Sequence, residues 1–225
     1  MATKIIVSYD GTDNDRDALA LGRLLAGGNA SLELAYVRHA HEAESGRERL
    51  AEHEAEALLQ AGAEALGQPD LTRHVVLSAS TPEGLRALAV STEADVIVFG
   101  SEYRTAQGHV DPQASARRLL DGGPVALAFA PAGFAEQADY TVRTVAAIGE
   151  DGDPCALETA EGLASHFGGA VAPQARGGAD FVVVCSKPGT VTGRVTISAA
   201  AEYLIELTRC PVLVLPRGVT VSFGR

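Results

Sequence analysis

The sequence predicts an α/β protein whose open, mainly parallel sheet is duplicated within one chain. Apolar strands ending in Asp-Gly occur at 4–11 and at 143–152, and each precedes an alanine- and leucine-rich helical stretch. A second pair of strands, at 95–101 and 180–186, also matches, and each leads through a helix to a strand opened by proline. Because strands that alternate with amphipathic helices are typical of βαβ units, we expect helices on both faces of the sheet.

The first repeat is expected to be a complete five-stranded unit. Its apolar runs are bounded by turn residues, and its helical stretches have polar starts or glycine stops. Thr81 is expected to cap the third helix, with Pro82 in its first turn. The predicted strands are 5–9, 32–37, 74–77, 96–99 and 125–129, and the predicted helices are 15–26, 42–66, a helix from 81, and 113–120.

The second repeat is expected to be truncated. Asp10 and Gly100 are 90 positions apart, whereas Asp151 and Cys185 are 34 apart, so the second copy lacks 56 residues of its middle. Only strands 1, 4 and 5 of the repeat should therefore remain. They are predicted at 144–148, 181–185 and 212–215, with one helix that has Asp153 as its cap and Pro154 at its first position, and another at 198–208.

These intervals predict two domains, 1–135 and 141–225, which we call the N-terminal and C-terminal halves. Residues 131–140 should link them. The deletion would leave strand 1 of the second copy as a bare edge, and bare edges invite pairing. We expect residues 170–178, the alternating tail at 219–223 or another chain to cover it.

Composition disfavours several classes of partner. The net charge is −11 and no basic run exceeds Arg117-Arg118, so neither nucleic acid nor an anionic membrane is expected to bind. The absence of a long apolar run and of a leader-like start favours a cytoplasmic protein. Cys155, Cys185 and Cys210 lack CxxC spacing, and we expect reduced thiols.

The chain resembles the universal stress protein family over nearly its whole length. Asp10-Gly11, Gly100-Ser101 and, most specifically, the stretch GRVTISAAAEYLIELTRCPVLVLP at 193–216 carry the resemblance. The family implies a sheet of order 3-2-1-4-5 and a dimer contact between the fifth strands of two units. In a tandem chain that contact would be internal, which predicts a pseudo-dimer, with protein partners or a homodimer as further possibilities.

The resemblance also implies a nucleotide site. ATP-binding members carry Gly-x2-Gly-x9-Gly-(Ser/Thr) after strand 4 and an Asp after strand 1, because glycine backbones can approach phosphates closely. Adenine contacts the backbone near the end of strand 2 in the family. The candidate cofactor-binding residues are Asp10, Gly11, Val37, Gly100 and Ser101.

The chain departs from this motif in both copies. Tyr103 stands at the second glycine, and Asp111-Pro112 lies where Gly-Ser should close the motif. In the second copy, Cys185 and Pro188 replace the first two glycines. Two such defects weaken binding by roughly 3–5 kcal/mol, or several hundredfold to several thousandfold. We therefore expect ATP or ADP to bind weakly or not at all.

Asp10 has two further interpretations. An Asp-Gly after a strand is often only a turn or a helix cap, and this alternative stays open beside ligand contact. Residues 8–12, Ser-Tyr-Asp-Gly-Thr, also resemble the Asp-x-Asp-Gly-Thr of haloacid-dehalogenase-type phosphohydrolases, although Ser8 replaces the nucleophilic aspartate.

No metal site is predicted. Asp13, Asp15 and Asp17 have calcium-loop spacing but lack the glycine and the closing glutamate, so solvated acids at a helix start are expected. Four of the six histidines could be imagined as metal ligands, but we expect them at the surface; they are His39, His41, His53 and His74.

Three functions remain open. The leading one is a non-catalytic stress-response protein that acts through protein contacts. The alternatives are an adenine-nucleotide-binding regulatory protein with one site in the N-terminal half, and a small hydrolase or phosphotransferase.

Overall fold

A computed structural model describes residues 2–27, 30–39, 48–137, 139–149, 152–172 and 178–223. The strands are β1 Lys4–Ser8, β2 Ser31–His39, β3 Thr72–Ser78, β4 Val96–Phe99, β5 Ala126–Phe129, β6 Thr144–Ile148, β7 Ala170–Ala172, β8 Phe181–Cys185 and β9 Val212–Leu215. The helices are α1 Asp15–Ala26, α2 Glu48–Ala65, α3 Thr81–Thr92, α4 Ala114–Leu119, α5 Cys155–Phe167 and α6 Ala199–Leu207, with a one-turn 3-10 helix at Phe134–Glu136.

All nine strands belong to one sheet, in the order β3-β2-β1-β4-β5-β9-β8-β6-β7. The N-terminal half therefore has the predicted order 3-2-1-4-5, and its strand pairs are parallel. The two halves meet where β5 pairs antiparallel with β9, with Ala128 opposite Leu213. A hydrogen-bonded sheet thus runs without interruption from one half into the other.

The C-terminal half has one more strand than expected. Besides β6, β8 and β9, the short β7 pairs in parallel with β6 and covers the edge that the deletion would expose. Coverage by residues from 170–178 was one of the predicted solutions. The tail is not a strand: Val221 and Phe223 are buried instead, and the Val221 amide donates to Thr159 of α5 at 3.1 Å.

Strands β4, β5, β8 and β9 are apolar and buried throughout because both faces of the sheet are covered there. In β1, Ile5 and Val7 join the core cluster that α1, α2 and α5 cover, whereas Ile6 joins the cluster on the opposite face, which α3, α4 and α6 cover. The helices on both faces confirm the predicted layering. None of the described helices combines the length and apolarity that a membrane crossing requires.

The helix ends follow local sequence signals with two small shifts. Gly27 and Gly168 end α1 and α5 in left-handed conformations, as expected for glycine stops. The cap of α3 is Ser80, whose hydroxyl accepts the Glu83 amide at 3.4 Å, and not Thr81. The cap position of α5 is Pro154, one residue later than predicted. The predicted first residues of helix 2, 42–47, lie outside the described residues.

The segment predicted to link the halves packs tightly on α1. The buried Asp17 carboxylate accepts the backbone amides of Gly133 at 2.8 Å and Ala135 at 2.7 Å. Phe134 is buried, and its ring lies edge-to-face with Tyr140 at 4.8 Å. The 3-10 turn is therefore part of the folded N-terminal half, whereas the exact domain bounds stay a prediction.

Candidate functional site

The N-terminal crevice lies at the carboxyl ends of β1 and β4, where the strand order reverses. In open parallel sheets, ligands bind outside such a switch point. The fold brings Asp10-Gly11 to the end of β1 and Gly100-Ser101 to the end of β4, next to the start of α1. The corresponding C-terminal crevice lies at the ends of β6 and β8.

Asp15, the first residue of α1, occupies the backbone donors of the N-terminal crevice. Its side chain is 3% exposed, and its Oδ2 accepts the amides of Asp10 and, at 2.9 Å, Gly11. Burial raises the pKa of Asp15 to about 8, and the neighbouring Asp10 carboxylate contributes to the rise, while the two amides oppose it. The donors that a phosphate would need in this turn are already bonded.

Asp10 and Gly11 form a tight turn beneath α2. Asp10 is exposed, and its Oδ1 accepts the Thr12 amide at 3.0 Å, as in an Asx turn. Gly11 has φ +80°, and a Cβ there would overlap the Leu58 side chain of α2. The turn has a structural role of its own, and α2 leaves little room above it.

Ser101 is buried, and its hydroxyl holds neighbouring segments of the backbone together. Its hydroxyl, in a residue that is 1% exposed, donates to the Ala130 carbonyl at 2.7 Å and accepts the Asp111 amide at 3.2 Å. The hydroxyl thereby ties the loop after β4 to the end of β5. Gly100 is required because a Cβ there would overlap the carbonyl oxygen of Asn14, which precedes α1. Both residues have structural reasons to be present.

The loop after β8 has the same hydrogen bonds. Ser186 donates to the Leu215 carbonyl at 2.7 Å and accepts the Thr196 amide at 3.1 Å. Its hydroxyl also lies 3.2 Å from the Arg194 carbonyl, as that of Ser101 lies 3.4 Å from the His109 carbonyl. This serine therefore organises the loop in both halves.

The other two positions of the glycine motif and the last candidate residue, Val37, lie in different surroundings. Tyr103 is exposed, and Asp111 forms an ion pair with Arg117 at 2.7 Å. Val37 is buried in β2, and a Cβ on Gly84 of α3 would lie 2.8 Å from its Cγ1. The side chain of Val37 thus belongs to the core, and only its backbone could contact a base.

A disulfide closes the C-terminal crevice, contrary to the predicted reduced thiols. Cys155 begins α5, Cys185 ends β8, and both are buried with Cα atoms 6.7 Å apart. Cys185 stands where the N-terminal half has Gly100, beside the start of the adjacent helix. The pair lies 30 positions apart in sequence, so only the fold brings the two sulfurs together. Cys210 is free and buried.

Asp153 adjoins this disulfide and completes a cluster that sequence reasoning missed. One ligand atom from each of Asp153, Cys155 and Cys185 lies within 4.8 Å of the others. The Asp153 carboxylate accepts the Cys155 amide at 3.1 Å and lies 3.2 Å from Nε of Arg217. The sequence signal that could have revealed this cluster is Cys185, which stands at the first glycine position of the motif in the second copy.

The three aspartates at the start of α1 do not form a solvated group. Asp13 is exposed, 3.8 Å from Arg16, but Asp15 and Asp17 are buried and accept backbone amides. Burial raises the pKa of Asp17, while the amides of Ala135 and Gly133 oppose that rise. The expectation of solvated acids was wrong for two of the three, because the turn after β1 closes over Asp15 and the segment after β5 docks over Asp17.

The histidines only partly follow the prediction. His39 and His53 are exposed. His74 is half-buried, and its Nε2 lies 2.7 Å from the buried carboxylate of Glu33. The prediction for His41 falls outside the described residues.

Arg38 is a buried cation near the end of β2. The residue is 5% exposed, and its Nε and Nη2 have no hydrogen-bond partner within the described part of the chain. Side chains alternate along a strand, which places Arg38 on the same sheet face as Leu34, toward α1 and α2. Buried cations without partners are costly, so this guanidinium could serve an anion.

Tyr203 and Leu207 form an apolar patch on α6. They are 63% and 59% exposed and one helical turn apart, so they project from one side of the helix. Leu207 also lines an apolar groove with Ile148, Ala179 and Val182. Exposed apolar groups that cluster in this way are typical of protein contact sites.

The strand order and the crevices define a doubly wound α/β protein. The model of the universal stress protein family matches residues 1–116, so the chain belongs to that family. No protein of curated function matches the sequence significantly.

Three solved structures share the fold across both halves. A universal stress protein from Archaeoglobus fulgidus DSM 4304 has a TM-score of 0.68 at 15% identity, covering 96% of this chain and 98% of the other. A universal stress protein from Pseudomonas aeruginosa UCBPP-PA14 gives 0.63 at 13% identity, covering 96% and 94%. A functionally unknown protein from Pseudomonas aeruginosa PAO1 gives 0.62 at 13% identity, covering 96% and 93%.

Proposed function

We propose that this member of the universal stress protein family is a non-catalytic stress-response protein that acts through protein contacts. The observation that carries the proposal is the bonding of Asp15 to the Asp10 and Gly11 amides. These two amides are backbone donors that the turn after β1 could otherwise offer to a phosphate. The Asp15 carboxyl group accepts the hydrogen bonds that a bound phosphate would otherwise accept from this turn.

A phosphate could reach these amides only by displacing the Asp15 side chain. The displaced carboxyl would stay buried without its partners, which costs roughly 1–3 kcal/mol. The cleft beside the start of α1 is also lined by Asp13, Asp17 and Glu136, against Arg16 as its one basic residue. The surrounding charge therefore disfavours a triphosphate.

The nucleotide content of the purified protein tests this proposal. The chain is purified from its host without added nucleotide and denatured, and the supernatant is analysed by ion-pair chromatography. We expect far less than one adenine nucleotide per chain. A stoichiometric amount of ATP, ADP or AMP would contradict the proposal.

The α6 patch is the proposed contact surface. A photo-crosslinking amino acid at position 203 should give discrete adducts of higher mass in stressed cells. The matched control is position 53 on helix α2, where His53 is also exposed but polar. Adducts of the same pattern at both positions, or none at position 203, would contradict this assignment.

We also infer that the pairing of β5 with β9 replaces a contact between two chains, which makes the protein a pseudo-dimer. Arg117 of α4 supports this, because its guanidinium reaches Glu202 of α6 at 2.9 Å across the junction. The positive charge lies on the N-terminal half and the negative charge on the C-terminal half. The ion pair therefore favours contact between two different halves over contact between two identical ones. Sedimentation equilibrium at micromolar concentration should give the mass of one chain, and a stable dimer would contradict the inference.

Arg38 favours a second candidate, a weak adenine-nucleotide site in the N-terminal half. Its guanidinium lies near the end of β2, where the family places adenine. Two of its nitrogens have no partner among the described residues and could attract a phosphate. In that case ATP should bind with a millimolar Kd, and Arg38→Gln should abolish the binding while the exposed Arg16→Gln leaves it unchanged. Equal binding by both variants would exclude this site.

A further inference from the structure

We propose that Asp153, Cys155 and Cys185 bind a thiophilic divalent cation such as Zn²⁺ once their disulfide is reduced. Their ligand atoms lie within 4.8 Å of one another, as the ligands of a single ion must. Two thiolates and one carboxylate oxygen form a donor set that suits zinc. A water molecule would complete the tetrahedron.

Regular secondary structure holds the two sulfur ligands in place. Cys185 is the last residue of β8 and pairs in register with Leu215 of β9, while Cys155 is the first residue of the thirteen-residue helix α5. In a tetrahedral site with Zn–S distances of about 2.3 Å, the two sulfurs stand about 3.8 Å apart. Cα atoms 6.7 Å apart permit that separation through side-chain rotation alone.

Burial and charge also fit a bound cation. Both cysteines are buried, and the Asp153 side chain is only 5% exposed. Two thiolates and one carboxylate leave one negative charge on a Zn²⁺ complex, which Arg217 can neutralise from 3.2 Å. Arg217 and the Gly218 amide, also 3.2 Å from Oδ2, would orient the carboxylate as groups behind a metal ligand do.

Reduction and metal uptake are linked by a balanced exchange. A dithiol reductant supplies two electrons and two protons and becomes a disulfide, while the Cys155–Cys185 bond becomes two thiols. Metal binding then releases those two protons, since zinc binds thiolates. The oxidised chain therefore holds a disulfide and the reduced chain holds a metal ion. The same two sulfurs cannot do both at once.

The site belongs to the C-terminal half alone. In the N-terminal half, Gly100 and Asp15 stand at the corresponding strand end and helix start, and neither offers sulfur. Cys210 is outside the cluster, and burial raises its pKa to about 12, which disfavours its thiolate. It is therefore a matched control, as a buried cysteine of the same half.

Cobalt titration tests the proposal directly. The full chain is reduced with a phosphine, desalted under nitrogen and titrated with Co²⁺. We expect one ion per chain, a thiolate-to-cobalt charge-transfer band in the near ultraviolet, and displacement of cobalt by Zn²⁺. The oxidised chain and the Cys155→Ser and Cys185→Ser variants should lack the band. Cys210→Ser should keep it, and Asp153→Asn should weaken binding at least tenfold.

A reduced wild-type chain without the band would overturn the proposal, as would a band that persists in Cys155→Ser or disappears in Cys210→Ser. Alkylation of the reduced wild-type chain tests the proposal without relying on any variant to fold. By mass spectrometry, Zn²⁺ should slow the modification of Cys155 and Cys185 and leave Cys210 unchanged. Equal rates at Cys155 and Cys185 with and without Zn²⁺ would also overturn the proposal.

Discussion

Replacing Asp15 by Asn should change how stability depends on pH. The folded protein raises the pKa of Asp15 to about 8 through burial, whereas the unfolded chain has an ordinary value near 3.8. Between these values the folded chain keeps a proton that the unfolded chain has lost. The contribution of Asp15 is thus complete below about pH 4 and is lost as the pH rises toward 8.

The expected magnitude follows from one bound proton. The free energy of unfolding of the wild-type chain should fall by about 1.4 kcal/mol per pH unit relative to Asp15→Asn, or roughly 6 kcal/mol over the whole window. Asn is a suitable replacement because its side-chain oxygen can still accept the amides of Asp10 and Gly11. The two proteins should be similarly stable near pH 4, and the variant should be the more stable near pH 8.

Urea unfolding at pH intervals from 5 to 8 measures this difference. Asp13→Asn is the matched control, because the Asp13 side chain is 96% exposed and close to Asp15 in sequence. Its difference from the wild type should stay nearly constant across the same range. If the Asp15→Asn difference were equally constant, Asp15 would not be protonated in the folded chain and the reasoning would fail.

Three further predictions concern the crevices, and chemical denaturation measures each. Gly100→Ala should destabilise the chain by about 1–3 kcal/mol, because the new Cβ meets backbone, whereas Gly162→Ala in the middle of α5, with its nearest atom 3.9 Å away, should stabilise it by about 0.5–1 kcal/mol. Equal changes in stability for the two variants, or changes of the reverse sign, would contradict the packing around Gly100 and Gly162. Ser101→Ala should cost about 1–3 kcal/mol by leaving the buried Ala130 carbonyl without its donor, and a neutral result would refute the structural role of the Ser101 hydroxyl. Reducing Cys155–Cys185 in a chelator should cost roughly 3–4 kcal/mol for a 30-residue separation, and no loss would contradict a stabilising disulfide.

The sequence predicted the central strands well because their signals are local. The ranges 96–99, 144–148, 181–185 and 212–215 are apolar runs bounded by turn residues, and the structure has the same ranges. The three residues of β7 are too short and too weakly alternating to be recognised as a strand. The order of the strands in the sheet was predicted from the family resemblance, because a short apolar run does not show which strands it pairs with.

The candidate site was harder to predict because its contacts are tertiary. Gly100-Ser101 has the residue types of a phosphate loop, but the Ala130 carbonyl, 29 positions away, determines what the Ser101 hydroxyl bonds to. The burial of Asp17 likewise depends on a segment more than a hundred positions later. Neither partner could be identified from spacing along the chain.

Titration calorimetry with magnesium ATP at pH 7 tests the central claim most directly, namely that internal groups occupy the N-terminal crevice. We expect no saturable heat with a micromolar Kd, and any binding should be about millimolar or weaker. A micromolar Kd with one ATP per chain would contradict the account, because ATP would then have displaced Asp15 at little cost.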